Sequence, residues 1–375
     1  MWKKSLKIGK TLYPCFFIIL WSIVCLIAWL NPAQEISDAE RRKLAQFPTL
    51  SVKTVLSREF MTGFSDYAVD QFPFRDKFRS IKSVSAYHVM QQSDNNGLYV
   101  NSGSIAKMEY PLNQHSIDHA VKVFNDVYNQ YIKGHENKCY FTIVPDKNYY
   151  MASKTGHLEI DYAKLHAKIQ NKLPWAEPVV INDQLNEKSY YNTDPHWRQD
   201  AILSVADTII KAMNKQTTVQ NYQNPSAFDR EVVCDSFKGT YASQSALPAK
   251  PEDIVVLHNR YIDNATVFDY EANKEFPVYA DITEAKDKYD AYLHGAKALL
   301  KIENKEATTD KELIVFRDSF GSSLIPLMIG EYKTITVVDL RYIKAKMLKE
   351  FIEFNDQDVL FLYSTTVLNN SSTIG

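Results

Sequence analysis

The chain has 375 residues, and its 43 Lys and Arg stand against 45 Asp and Glu for a net charge of −2. A balance this even excludes a basic nucleic-acid surface, all the more because four of the positive charges, Lys3, Lys4, Lys7 and Lys10, lie at the extreme N-terminus. Its 23 Tyr and 19 Phe suit stacking on sugar rings as well as ordinary packing of the interior.

Residues 12–30, LYPCFFIILWSIVCLIAWL, carry no charge. As a helix rising about 1.5 Å per residue they span about 28 Å, close to the thickness of a bilayer core. The lysines before them form a cytoplasmic tip, residues 1–11, and the positive-inside rule then puts everything after Asn31 outside. A cleaved signal peptide fits less well, because the apolar run is long and Asn31 and Pro32 stand where a small-residue cleavage site would be. The expectation is a single-pass protein of the cell membrane with an extracytoplasmic C-terminal domain. Of the four cysteines, Cys15 and Cys25 sit in the span, so Cys139 and Cys234 could make at most one exported bridge.

Residues 31–90 read as a helical stem. Phe60, Phe64 and Phe72, then Phe78, Ile81 and Val84, recur at helical spacing, and Pro73 separates the two runs. The remainder, 91–375, reads as a large α/β domain. Ile117, Val121, Phe124, Tyr128 and Tyr131 predict a helix, CYFTIVP at 139–145 a buried strand, and Tyr162, Leu165 and Ile169 a short helix. PVVIN at 178–182 predicts a strand, and Ala201, Ile202, Val205 and Ile209 a helix. The strand pattern returns at ELIVF (312–316), TITVVDL (334–340) and DVLFLY (358–363). Strands alternating with helices imply a mostly parallel sheet covered on both faces. Between about 215 and 305 the rhythm fails, which reads as an insertion, with some β structure, lying over one end of the sheet.

Two short stretches carry chemistry. In ELIVFRDSFGSS the apolar strand runs into Asp318-Ser319-Phe320-Gly321 and then a helix. A serine at such a strand-to-helix turn stands at the carboxyl edge of a parallel sheet, where the following helix aims N–H groups at a developing oxyanion. Its bland counterpart is a helix-capping serine that serves only backbone donors. The second stretch, YYNTDPHWRQD at 190–200, places Asp194 and His196 two apart in an extended segment, so both side chains project to one side. Pro195 keeps Asp194 out of the helical region. An imidazole oriented by a carboxylate is the base a serine hydroxyl needs in order to become a nucleophile. Here the bland counterpart is a loop in which Trp197 packs and His196 is solvated.

TDPHW followed much later by DSFG resembles the DHHW family and the related catalytic domains of alginate O-acetyltransferases, within the wider SGNH hydrolase-like group. QFPFRDKF (71–78), NNGLYV (95–100), VPDKNYY (144–150) and VVDLRYI (337–343) extend the likeness over about 70–365. The resemblance implies a site in which the acid Asp194 and the base His196 precede the nucleophile Ser319 in the chain. Two positions depart from the pattern: Pro195 stands where the namesake tetrad has His, and Arg317 where the acetyltransferases commonly have Gly. Arg317 would narrow or charge the space near the serine. Lys147 and Asn148, just past a strand end, and Tyr191 and Trp197, beside the acid and base, are candidates for substrate or oxyanion contacts.

Other constellations offer less. His115 and His119 are four apart but lack H-E-x-x-H and a third ligand, and 94–97 (DNNG) lacks the later ligands of a calcium loop. They read as a solvated helix start and a turn, and no metal or other cofactor is expected. The reading that joins these strands is a membrane-anchored SGNH-like O-acetyltransferase whose acceptor is a cell-surface or exported polysaccharide. The resemblance suggests a multipass membrane acyltransferase as the partner supplying acetyl groups. An acetyl esterase would use the same three residues. A non-catalytic glycan-binding or assembly subunit would rely on Arg317 and the aromatic residues instead.

Overall fold

A computed structural model describes residues 2–37, 40, 42–136, 138–214 and 220–375. By internal packing the chain divides into two units, Met1–Gln92 with Ser243–Pro248, and Ser93–Ala242 with Ala249–Gly375.

In the first unit a helix covers Trp2–Leu30, and its part Tyr13–Leu30, of mean hydropathy 2.2, is long and apolar enough to cross a membrane. Helices Glu59–Asp70 and Arg75–Val84 follow, interrupted as expected around Pro73, which lacks the N–H a continuous helix requires. Phe47 gathers the rings of Phe60, Phe64 and Tyr67 edge-on, at centroid distances of 5.3–6.2 Å.

The second unit is built on one eight-stranded sheet. In chain order its strands are β1 (Cys139–Val144), β2 (Glu177–Pro178), β3 (Thr266–Asp269), β4 (Lys274–Phe276), β5 (Leu299–Glu303), β6 (Glu312–Arg317), β7 (Thr334–Val338) and β8 (Asp358–Ser364). They lie side by side in the order 4-3-5-7-6-8-1-2. From β7 to β2 every pairing is parallel, and from β4 to β7 every pairing is antiparallel.

Alternation along the central strands assigns successive side chains to opposite faces. Leu313, Val315, Leu360 and Leu362 enter one core with helices Leu203–Asn214 and Phe320–Met328. Ile314, Phe316, Val359 and Phe361 enter the other with helices Gln114–Val127 and Tyr162–Lys172. Burial on both faces explains why these strands read as unbroken apolar runs.

Two expectations need correction. Of PVVIN only Pro178 belongs to a strand, the short edge strand Glu177–Pro178, with Val179 adding one N–H bond to Phe141 at 2.9 Å; Pro178, with no N–H to give to a ladder, suits a sheet edge. The region 215–305 does not simply overlie the sheet. Asp229–Phe237 and Glu252–His258 do form a separate antiparallel pair, but β3, β4 and β5 extend the main sheet. These strands are only four, three and five residues long, too short to stand out from the surrounding turns, although Leu300 and Ile302 of β5 alternate with Lys301 and Glu303 as a half-buried strand should. Cys139 is buried in β1 and Cys234 half-buried, and both are free thiols.

Candidate active site

Because the parallel strands all end on one side, their carboxyl ends bring together residues far apart in the chain. β6 ends at Arg317, and Asp318 and Ser319 turn the backbone into helix Phe320–Met328. Asp318, fully buried, does the capping that a serine often does. One of its oxygens accepts from the Phe320 N–H at 3.0 Å, and the other accepts from the Ser364 N–H at 2.7 Å, stitching the turn to the end of β8. Ser319 occupies the N-cap position, φ −60° and ψ −21°, yet makes no side-chain capping bond. Its hydroxyl stands instead 2.8 Å from His196 Nε2.

His196 lies on a tight loop closed by the Tyr191 N–H to His196 carbonyl bond, 3.0 Å, and the Arg198 N–H to Ser189 carbonyl bond, 2.8 Å. Its Nδ1 is 2.6 Å from Asp194 Oδ1. Asp194 also accepts the backbone N–H of His196 at 3.1 Å and, on its other oxygen, that of Thr240 at 2.8 Å. Burial works against the Asp194 charge, but the adjacent His196 and these donors outweigh it and hold the carboxyl down at about 2. Asp194, His196 and Ser319 thus form a continuous hydrogen-bonded chain, with the carboxylate buried, the His196 side chain 14% exposed and Ser319 partly buried.

The other side chains singled out in the sequence lie near this chain without lining an open site. Lys147 is 1% exposed, and its ammonium donates to the carbonyls of Ile105 and Tyr191, both at 2.6 Å, and of Asn192 at 3.2 Å. It fastens the backbone that leads into Asp194. Burial pushes its pKa down to about 7, against the pull of Asp194 and Glu252. Asn148 is buried between the Tyr99 hydroxyl, 2.8 Å, and the Leu158 carbonyl, 3.1 Å. Tyr191 meets the Tyr292 hydroxyl at 3.1 Å and packs edge-on against Phe237.

Trp197 is wholly buried, and its indole N–H lies 3.1 Å from the Phe320 carbonyl and 2.9 Å from Ser323 Oγ, joining the loop to the helix after the serine. Arg317 does not charge the space around Ser319. It is fully buried, 3.3 Å from Asp339, and a Cβ on Gly321 would lie 2.8 Å from its own Cβ. All five side chains are buried, where the sequence reading expected contacts with substrate: Lys147, Tyr191 and Trp197 pack around the loop, Arg317 behind the turn, and Asn148 between Tyr99 and Leu158.

Sequence reasoning missed the contribution of region 215–305. Besides Thr240, Glu252 accepts from the Asn192 and Thr193 backbone N–H groups at 2.7 and 2.8 Å. Gly239 presses on Asp194 so closely that an added Cβ would stand 2.2 Å from the Asp194 Cβ. Tyr289 lies face to face with the His196 ring. A single glycine at Lys238-Gly239-Thr240, in a chain with only 11, was the available signal; Glu252 and Tyr289 left none. Asp146, at the end of β1, was also missed. It accepts the Tyr162 hydroxyl at 3.0 Å and the Thr365 hydroxyl at 2.5 Å, and burial raises it to about 6. Among the described residues no group of three or more His, Cys, Asp or Glu is placed to hold a metal.

The site therefore stands on a mostly parallel α/β sheet, with Ser319 at the strand-to-helix turn on its carboxyl edge. Residues 162–338, which contain Asp194, His196 and Ser319, match the family model described as DHHW protein, and the resemblance seen in the motifs is thereby borne out. Among solved structures, a DHHW family protein from Eubacterium siraeum is similar at 18% identity, covering 75% of this chain and 95% of that one, with a TM-score of 0.58. PatB1 of Bacillus cereus is similar at 17% identity, covering 73% and 97%, with a TM-score of 0.59. Its form with a sulfonyl adduct covers 72% and 95% at 19% identity, TM-score 0.56. At these identities the likeness is one of fold. No curated protein matches the chain.

Proposed function

We propose that this protein is a membrane-anchored, extracytoplasmic O-acetyltransferase acting on a cell-surface polysaccharide, with Ser319 as nucleophile, His196 as base and Asp194 as its orienting acid. The observation that carries the reading is the pair of contacts at His196: Nε2 to Ser319 Oγ at 2.8 Å and Nδ1 to Asp194 at 2.6 Å. The carboxylate fixes the tautomer, so the free lone pair of Nε2 faces the serine proton. Ser319 Oγ attacks the acyl carbonyl carbon while its proton passes to His196. As the tetrahedral centre collapses, His196 returns that proton to the leaving group, and an acyl-serine remains. A sugar hydroxyl then attacks the ester, giving its proton to His196, and Ser319 takes the proton back as it leaves.

The backbone N–H of Ser319 has no acceptor among the described residues, which supports a role as oxyanion donor at the start of helix Phe320–Met328. The lysine-flanked N-terminal helix supports the anchor, and an outward-facing domain cannot use cytoplasmic acetyl-CoA directly. The partner that the family resemblance suggests, a multipass membrane acyltransferase, would supply the acetyl groups from the other side. The test is to give the detergent-solubilised full chain a chromogenic acetyl ester, with and without oligosaccharide acceptors, and to follow the mass of the Ser319 peptide. A transient acetyl adduct, discharged faster by the acceptors than by water, is expected. Glycan binding with no adduct from any ester would overturn the reading in favour of a binding subunit.

A further inference from the structure

Hydrogen bonds at both nitrogens fix His196 in the plane of its ring, but they leave its tilt to whatever touches its faces. One face is covered by Tyr289, with ring centroids 4.0 Å apart and the planes 14° from parallel. Phe320 meets the ring at 4.9 Å and 53°. Tyr289 is itself held. It is 5% exposed, its N–H is capped by Asp287 at 3.0 Å, and its hydroxyl lies 2.9 Å from Ser323 Oγ, the same oxygen that takes the Trp197 indole N–H. Ser323 belongs to the helix that follows the nucleophile. The base loop, that helix and region 215–305 therefore converge on one hydroxyl, and the outcome of the convergence is an aromatic face laid on the imidazole.

We propose that Tyr289 is a positioning residue for the base: its ring sets the tilt of His196, and its electron-rich face stabilises the imidazolium formed each time His196 takes the serine proton. This rests on the Ser319, His196 and Asp194 reading above. A cation over an aromatic face is attracted by the ring quadrupole, and the attraction grows where water is excluded. Tyr289 is buried on a turn, Lys288–Ala291, that nothing in the strand and helix rhythm of the chain marks as part of a site. A turn outside the sheet thus supplies to the base what the sheet does not.

The experiment compares ester turnover by full-length variants. Tyr289→Leu removes the aromatic face and is expected to lower kcat about 10-fold with KM nearly unchanged, the size a desolvated cation–π contact allows. Tyr289→Phe keeps the face and loses only the hydroxyl, so its kcat is expected within about three-fold of the parent. In a His196→Ala background the Leu change is expected to have no further effect on residual turnover, because Tyr289 acts only through the base. Replacing residue 289 by phenylalanines of increasing ring fluorination preserves shape while draining the quadrupole, and kcat is expected to fall in step; this series decides the matter even if the Leu variant unfolds. An unchanged kcat across the fluorinated series, or an equal loss with and without His196, overturns the proposal. Full activity in Ser319→Ala would instead overturn the reading of the site itself.

Discussion

At the residue scale, the three hydrogen-bonded groups differ in the part each plays in the proton transfer, and that difference orders their expected effects. Ser319→Ala and His196→Ala should each remove nearly all acyl transfer, and the double variant should be no worse than either, since nucleophile and base act as one unit. Asp194→Asn should be severe but less than complete, because it disturbs tautomer and orientation while leaving the imidazole in place. Turnover of a chromogenic ester measures all three. Lys147 makes a different prediction. Its pKa is about 7 when folded against an ordinary 10.5, so between these values the unfolded chain binds a proton that the folded protein does not. Stability contributed at this position therefore rises as pH climbs from about 7 to 10.5, and burial costs most below pH 7. Lys147→Met should melt at lower temperature than the parent, having left three carbonyls unpaired, and the gap between the two melting temperatures should widen across that pH window. A gap that stays constant across that window would show that the lysine remains protonated in the fold.

At the scale of elements, the site depends on parallel strands ending together and on a region that crosses the sheet rhythm. The turn after β6 is held by Asp318 to the end of β8, and the acid-base loop is held by Lys147 from the end of β1. Glu252, Gly239 and Thr240 close the other side of that loop. Gly239→Ala tests this closure, because a methyl group 2.2 Å from the Asp194 Cβ and 2.7 Å from its Cα cannot be accommodated without moving the acid. The expected result is a loss of roughly 1–3 kcal/mol of stability, the usual cost of overpacking, together with at least about 10-fold in kcat as His196 loses its orientation. Thermal melting and ester turnover measure the two effects. Normal turnover with lowered stability would mean that the loop shifts as a body and carries Asp194 and His196 with it.

At the scale of the whole molecule, the lysine-flanked helix predicts that a reporter fused after Gly375 is active outside the membrane and silent inside; a cytoplasmic signal would remove the polysaccharide acceptor from reach. That helix, the central strands and the two motifs were legible because each is a local pattern: an uncharged apolar run, buried segments such as ELIVF and DVLFLY, and a serine or an Asp-x-His at the ends of such segments. These patterns survive in the sequence since burial and backbone geometry select residue type over short spans. What lay beyond them was decided by long-range packing. The pairing of β5 with β3 and β7, the inward course of Arg317, Tyr191 and Trp197, and the clamp made by Lys147 depend on partners more than 20 residues away, or on which side of a strand end a side chain turns. By itself the sequence determined a membrane-type helix, a doubly covered, mostly parallel sheet, and which serine, histidine and aspartate were worth bringing together. Only the tertiary structure decided that they meet within hydrogen-bonding distance, and that an irregular stretch encloses Asp194 and stacks a ring on His196, because contact between distant segments is fixed by how the core closes and leaves no periodic trace in the chain.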